Sequence, residues 1–72
     1  MSEAQARALH QRYLQARKMV GESTDVPYER MVKTLSDQTA RIMEQHKAST
    51  VDFKVVIKND KVVLTAKPKR SG

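Results

Sequence analysis

Residues 51–67 alternate apolar and polar side chains on both sides of a two-residue segment, Asn59-Asp60. A period of two interrupted by such a pair predicts a β-hairpin with a tight turn. Two strands are not stable alone in water, so the rest of the chain must cover one face of the hairpin. If Asn59 and Asp60 form the turn, the pairing of the two strands places six apolar side chains together on the face to be covered: Phe53, Val55, Ile57, Val62, Leu64 and Ala66.

Two helices are predicted before the hairpin, over about residues 3–20 and 27–47, because apolar residues recur there at steps of three and four. The first inner stripe comprises Ala6, Leu9, Tyr13, Ala16 and Val20, and the second comprises Tyr28, Met31, Leu35, Ile42 and His46. The short connection favours antiparallel neighbours. The predicted fold is therefore α+β, with two antiparallel helices packed on a C-terminal two-stranded hairpin (α-α-β-β).

The predicted ends of these elements depend on single residues. Ser2 is the expected N-cap of the first helix, and Gly21 is the left-handed residue that ends it. For the second helix, Pro27 fits the first turn, with Thr24 or Asp25 as the cap. We expect Pro68 to end the second strand and residues 68–72 to form a basic tail.

The composition limits the class of protein. Seventy-two residues form one small domain, whose core supplies only about 3–5 kcal/mol of net stability, so a homodimer or a larger partner is the expected support. The chain has no cysteine, which excludes disulfides and thiolate zinc sites. The longest aliphatic run, Val55 to Ile57, is too short to span a bilayer, and the N-terminal sequence is not a signal peptide. We expect a cytoplasmic protein without membrane insertion.

No sequence pattern indicates catalysis, a cofactor or a small-molecule substrate. The only glycines, Gly21 and Gly72, form neither a phosphate-binding loop nor a nucleophile elbow. His10 and His46 could approach each other between antiparallel helices, with Glu3 as a third zinc ligand. Capping or packing at an edge is the favoured role of both histidines, and we predict a non-enzymatic protein.

The predicted function is a protein-interaction or regulatory module that binds a protein partner or a second copy of itself. On the hairpin face opposite the apolar set, Val56 and Val63 form an apolar spot surrounded by cations. The predicted partner-binding residues are Val56, Val63, Lys54, Lys58 and Lys61.

Nucleic-acid binding through the phosphate backbone is the alternative, because 14 Lys and Arg outnumber 8 Asp and Glu to give a net charge of +6. Its predicted phosphate-binding residues are Arg7, Lys18, Lys54, Lys58, Lys61, Lys67, Lys69 and Arg70, with Arg17 as a further cation. No aromatic residue stands among these cations to stack on a base, and the helices do not match a helix-turn-helix reader.

A resemblance to a known kind of domain runs along nearly the whole chain. The matching segments are Ala16-Arg-Lys-Met-Val-Gly-Glu-Ser-Thr24, Tyr28 with Met31 to Leu35, Glu44-Gln-His46, Val51-Asp-Phe-Lys-Val-Val-Ile-Lys58 and Lys61-Val-Val-Leu64. Together they resemble a small C-terminal domain of myxobacterial-type multidomain proteins that are related to signalling. The resemblance implies a bacterial tail module, or a stand-alone relative of one, and carries over no catalytic residue.

Overall fold

The computed structural model describes residues 2–70 and confirms the predicted α-α-β-β order. The two helices are antiparallel and pack on one face of a two-stranded antiparallel sheet. In the part of the chain described, neither helix has the length and apolarity needed to cross a bilayer. The elements are α1 (Glu3–Met19), α2 (Tyr28–His46), β1 (Thr50–Lys58) and β2 (Lys61–Lys69).

Both predicted ends of α1 are confirmed. The Ser2 hydroxyl accepts a hydrogen bond from the Gln5 backbone N–H at 3.2 Å, and the Gln5 side chain accepts one from the Ser2 N–H at 3.0 Å. This reciprocal capping box satisfies two donors that the first turn leaves without helical partners. After the helix, Gly21 takes a φ of +79°, which residues with a Cβ adopt at a steric cost.

The predicted start of α2 is wrong in detail. Pro27 is the N-cap itself and no side chain caps the helix, so neither Thr24 nor Asp25 has the expected role. The reason lies in the connecting loop, which Arg17 holds through the Ser23 carbonyl. His10 Nε2 holds the same loop by donating to the Val26 carbonyl at 2.6 Å. With the loop held in this way, Thr24 and Asp25 lie outside the N-cap position, which Pro27 occupies.

The hairpin has the predicted turn and register. Asn59 and Asp60 both have positive φ, 53° and 61°, as a type I′ turn requires. Val55 pairs with Leu64 and Val56 with Val63, and every other predicted pair is also present. One register therefore separates the inner set of side chains from the outer set.

The expected end of the hairpin at Pro68 is wrong, because β2 continues to Lys69 and Pro68 pairs with Val51. The pair next to a two-residue turn, Lys58 with Lys61, is hydrogen-bonded, and bonded and non-bonded pairs then alternate. Position 68 falls in a non-bonded pair, where its nitrogen points away from β1, so proline removes no ladder bond. Residues 71 and 72 of the predicted tail lie outside the described residues.

The core is a single small cluster. Leu9, Met31 and Leu35 are buried at its centre, and the partly buried side chains packed on them are Tyr13, Phe53, Val55 and Leu64. Two predicted inner residues are not covered: Ile57 is 46% exposed, and His46 at the end of α2 is exposed. Because α1 ends at Met19, the helical layer stops short of the turn where Ile57 lies.

The domain exposes more surface than its mass requires. Its accessible surface is 5551 Å², whereas a folded monomer of 8.2 kDa has about 4,500 Å². The radius of gyration is 12.8 Å, against about 11 Å for a compact chain of this length. The helices cover only one face of the sheet, so the other face lies open.

Candidate partner-binding face of the hairpin

The hairpin side chains that point away from the helices form the surface that we call the ribbon face. Its residues follow from the strand period of two and the observed register. Five directly opposed pairs make up this face: Thr50 with Lys69, Asp52 with Lys67, Lys54 with Thr65, Val56 with Val63, and Lys58 with Lys61.

One pair of the ribbon face, the second from the turn, is apolar. Val56 and Val63 are directly opposite each other, and Val63 is 40% exposed although it is a large hydrophobic residue. Lys58 and Lys61 form the next pair on the same face towards the turn, and Lys54 lies on the other side. The structure thus brings together all the side chains predicted to bind a protein partner, as an apolar centre with a charged rim.

The charge of the ribbon face is strongly positive. Five lysines lie there with one carboxylate, Asp52, whose Oδ2 is 2.6 Å from Lys69 Nζ. The hydrogen bond from Lys69 is the largest influence and lowers the pKa of Asp52. Desolvation opposes it, and the charges of Lys69, Lys54 and Lys67 lower the pKa further. Within residues 2–70 no other salt bridge reaches this face. The remaining lysines are available to an acidic partner.

The ribbon face does not enclose a ligand. A hollow on this face, between Asp52, Lys54, Thr65 and Lys67, measures about 240 Å³. Pockets for small organic ligands measure about 300–1,000 Å³. Two larger grooves, of about 500 and 560 Å³, lie beside α1, and the first reaches the edge of this face at Thr50 and Asp52. The surface therefore suits contact with a macromolecule better than capture of a small molecule.

The alternative phosphate-binding set does not form one surface. Lys54, Lys58, Lys61, Lys67 and Lys69 share the ribbon face, with Arg70 directly after β2. The cations of α1 belong to the helical layer on the opposite side of the sheet.

Two cations of α1 already have partners, and the third is exposed. Arg7 bonds Glu3 at 3.0 Å and lies 4.3 Å from the centre of the Tyr28 ring. Arg17 is half-buried and pairs with Glu22 at 2.9 Å, so it is not the free cation that the sequence suggested. Lys18 is exposed near the end of α1.

The two histidines do not meet at a metal site. His10 donates to the Val26 carbonyl at 2.6 Å and contacts the edge of the Tyr28 ring at 5.7 Å between centroids. His46 is exposed at the end of α2. Across the described residues, no group of three or more His, Cys, Asp or Glu side chains is arranged to hold a metal ion.

Sequence reasoning missed a polar network that ties the α1–α2 loop to the sheet. One carboxylate oxygen of Glu22 pairs with Arg17 at 2.9 Å, and the other accepts the Val62 backbone N–H at 3.1 Å. Arg17 Nη1 also donates to the Tyr13 hydroxyl at 3.1 Å. A glutamate next to a helix-ending glycine is the only sequence signal for this network, and that signal is common in loops.

Comparison of the chain with protein-family models, curated proteins and solved structures finds no match. The resemblance to the myxobacterial-type domain therefore stays a prediction.

Proposed function

We propose that this protein is a non-enzymatic interaction module whose ribbon face binds an acidic protein surface. The observation that carries the proposal is the Val56–Val63 pair, in which Val63 is 40% exposed and lysines lie on both sides. Contacts between proteins commonly combine an apolar centre, which supplies affinity, with a charged rim, which supplies complementarity and fast association. An expected partner presents aliphatic side chains flanked by aspartate or glutamate.

Nucleic-acid binding is the second proposal, and one observation favours it: five lysines share one face with a single carboxylate. Such a face attracts phosphates without base specificity, and its affinity falls steeply as salt rises. Two features make it second: the ribbon face has no aromatic residue on which a base stacks, and Asp52 lies among the cations.

The main test is capture of partner proteins by the immobilised domain from nuclease-treated lysate of its own source cells, followed by titration with each purified partner. The disabling variant combines Lys61→Glu with Lys67→Glu on the ribbon face. The matched control combines Lys33→Glu with Arg41→Glu, which makes the same charge change at exposed positions of α2. We expect acidic proteins to bind the wild type and the control at least tenfold more tightly than the ribbon variant.

Two outcomes would overturn the proposal of a protein partner. The first is equal binding by the wild type and both double variants. The second is loss of all binding after nuclease treatment, together with direct binding of mixed-sequence DNA or RNA at low salt. Only that second outcome would support the nucleic-acid alternative. Val63→Ser further separates the two, because it should weaken a partner that uses the apolar centre and leave phosphate binding unchanged.

A further inference from the structure

The two outer edges of the hairpin differ in their backbone donors. Because Lys58 and Lys61 form the hydrogen-bonded pair next to the turn, the odd-numbered residues of β1 point their N–H and C=O groups away from β2. The same alternation sends the Val62 N–H outwards, which agrees with its bond to Glu22 at 3.1 Å. Each edge thus presents every second backbone group to whatever lies beside it.

The edge of β2 is obstructed at both ends. Glu22 occupies the outward N–H of Val62 near the turn, and Pro68 has no N–H at the other end. In β1, by contrast, the outward groups belong to Val51, Phe53, Val55 and Ile57. Within the described residues no other element forms a hydrogen bond to them. An unprotected strand edge is a template for a further strand.

An apolar groove lies beside this open edge. Val55 and Ile57 line it together with Ala16 and Met19 of α1, Arg12 and Gln15 complete its wall, and its volume is about 400 Å³. Ile57 is 46% exposed and Met19 is 76% exposed, the largest values among the big hydrophobic side chains. A strand added to β1 would cover both, as the helical layer does for the rest of the sheet.

We propose that the added strand is β1 of a second copy, in antiparallel pairing about a two-fold axis at Val55. This proposal deepens the self-association expected of an interaction module. It uses the outer edge of β1, where Asp52 and Lys58 also belong to the ribbon face. With the axis at Val55, Phe53 lies opposite Ile57 of the second copy. The two residues form a hydrogen-bonded pair, because their backbone N–H and C=O groups point away from β2. The product is a four-stranded sheet with helices on one face.

Charge selects this register over its neighbours. With the axis at Val55, Asp52 lies opposite Lys58 of the second copy, twice by symmetry, and opposite charges in facing positions stabilise a strand pair. An axis at Lys54 would overlap the strands most completely but would oppose two copies of Lys54. With an axis at Phe53, the paired segment would lie farther from the turn, and Ile57 and Met19 would stay exposed to solvent.

The small sheet favours such an interface. A two-stranded sheet is marginal by itself, and four strands under one helical layer are more stable. A second copy would therefore pair with the open edge of β1 and cover the groove beside it.

Sedimentation equilibrium over micromolar to millimolar concentrations tests the proposal, with a matched pair of variants. Lys58→Glu places two carboxylates opposite each other at both ends of the paired segment, and we expect about a tenfold or greater rise in Kd. Lys61→Glu makes the same change in the directly opposed residue of β2, off the interface, and we expect less than about a threefold rise. Ile57→Lys should also raise Kd at least tenfold.

The register has its own readout. In a mixture of labelled and unlabelled protein, the non-bonded pairs bring the α-protons of Lys54 and of Val56 in the second copy into contact, which isotope-filtered NOEs detect. A protein that is monomeric at millimolar concentration overturns the proposal. Dimerisation unaffected by Lys58→Glu, or a different strand captured on β1, does so as well.

Salt separates this proposal from the proposed function. Two copies of a +6 chain repel each other, so added salt should strengthen the dimer. The same salt should weaken an acidic partner on the ribbon face. Lys67→Glu on β2 tests the ribbon face alone, so a failed dimer with intact partner binding, and the reverse, are different results.

Discussion

The two faces of the hairpin consist of the same strands in the same register, yet they have opposite environments. On the inner face, Phe53, Val55 and Leu64 pack against the buried cluster under both helices. On the ribbon face, Val56 is half-buried, its partner Val63 is 40% exposed, and lysines lie on both sides of the pair. Of two adjacent residues in one strand, one therefore packs in the core and the next lies at the surface.

This difference separates stability from binding. Substitutions on the inner face remove apolar contacts from a core with few residues to spare, whereas those on the ribbon face change charge and shape without reaching that core. A chain of this size can thus vary its partner without losing its fold.

Leu35→Ala should have the largest effect. Leu35 is 5% exposed in the central cluster, and truncation of such a residue costs about 2–5 kcal/mol. That loss is comparable to the whole net stability of a domain this small, about 3–5 kcal/mol. We expect most of the variant to be unfolded at 25 °C, as far-ultraviolet circular dichroism and urea titration would show.

The control for that variant is Val63→Ala on the ribbon face, which should change the free energy of unfolding by no more than about 0.5–1 kcal/mol. A cooperative unfolding transition of Leu35→Ala near that of the wild type would show that the cluster is not the core. An unfolded Val63→Ala would show that something covers the ribbon face.

Val55→Ala and Val56→Ala form a more stringent pair, since the residues are identical, adjacent and on opposite faces. Both lose strand propensity, but only Val55 also loses contact with the buried cluster. We expect about 1–2 kcal/mol for Val55→Ala and under about 1 kcal/mol for Val56→Ala. Urea titrations at one low protein concentration measure both; equal losses would contradict the assignment of faces.

Much of this fold was predictable because its local signals agree with one another. The alternation around Asn59-Asp60 specified every pair of the register, and helical periodicity placed Leu9, Met31 and Leu35 inside. The wrong predictions concern two features that local sequence does not determine: the path of the connecting loop, and the alternation of bonded and non-bonded pairs along the hairpin. Pro68 continues the strand because its nitrogen faces outwards, and Thr24 and Asp25 do not cap α2 because the loop is held against α1.

The candidate surfaces were predictable to a lesser extent. Because side-chain alternation fixes a face, the sequence placed Val56, Val63 and the hairpin lysines together correctly. It could not show that Glu22 reaches the Val62 N–H, or that Arg17 is already paired, since both contacts join segments that are distant in sequence or cross a loop. The difference between the two strand edges follows from such contacts and required the structure.

Asp60→Gly tests the turn that keeps the two faces apart. Asp60 has a φ of 61°, which glycine adopts without the steric cost that aspartate bears. We expect about 0.5 kcal/mol of added stability, seen as a higher urea midpoint at unchanged slope. Asp25→Gly in the connecting loop is the control. Asp25 does not have positive φ, so the same change there should lower the stability of the protein.

Acid titration should give the smallest effect, because Asp52 and Lys69 are both about half exposed. The pKa of Asp52 lies below its ordinary value of 3.8, first through the hydrogen bond from Lys69. A depressed folded-state pKa means that the contribution to stability is complete above about pH 4 and is lost as the pH falls through the folded-state pKa. Carboxyl carbon shifts of Asp52 should therefore titrate below 3.8. Lys69→Gln should raise that midpoint while Lys33→Gln leaves it unchanged, and a midpoint at or above 3.8 in the wild type would contradict the ion pair on the ribbon face.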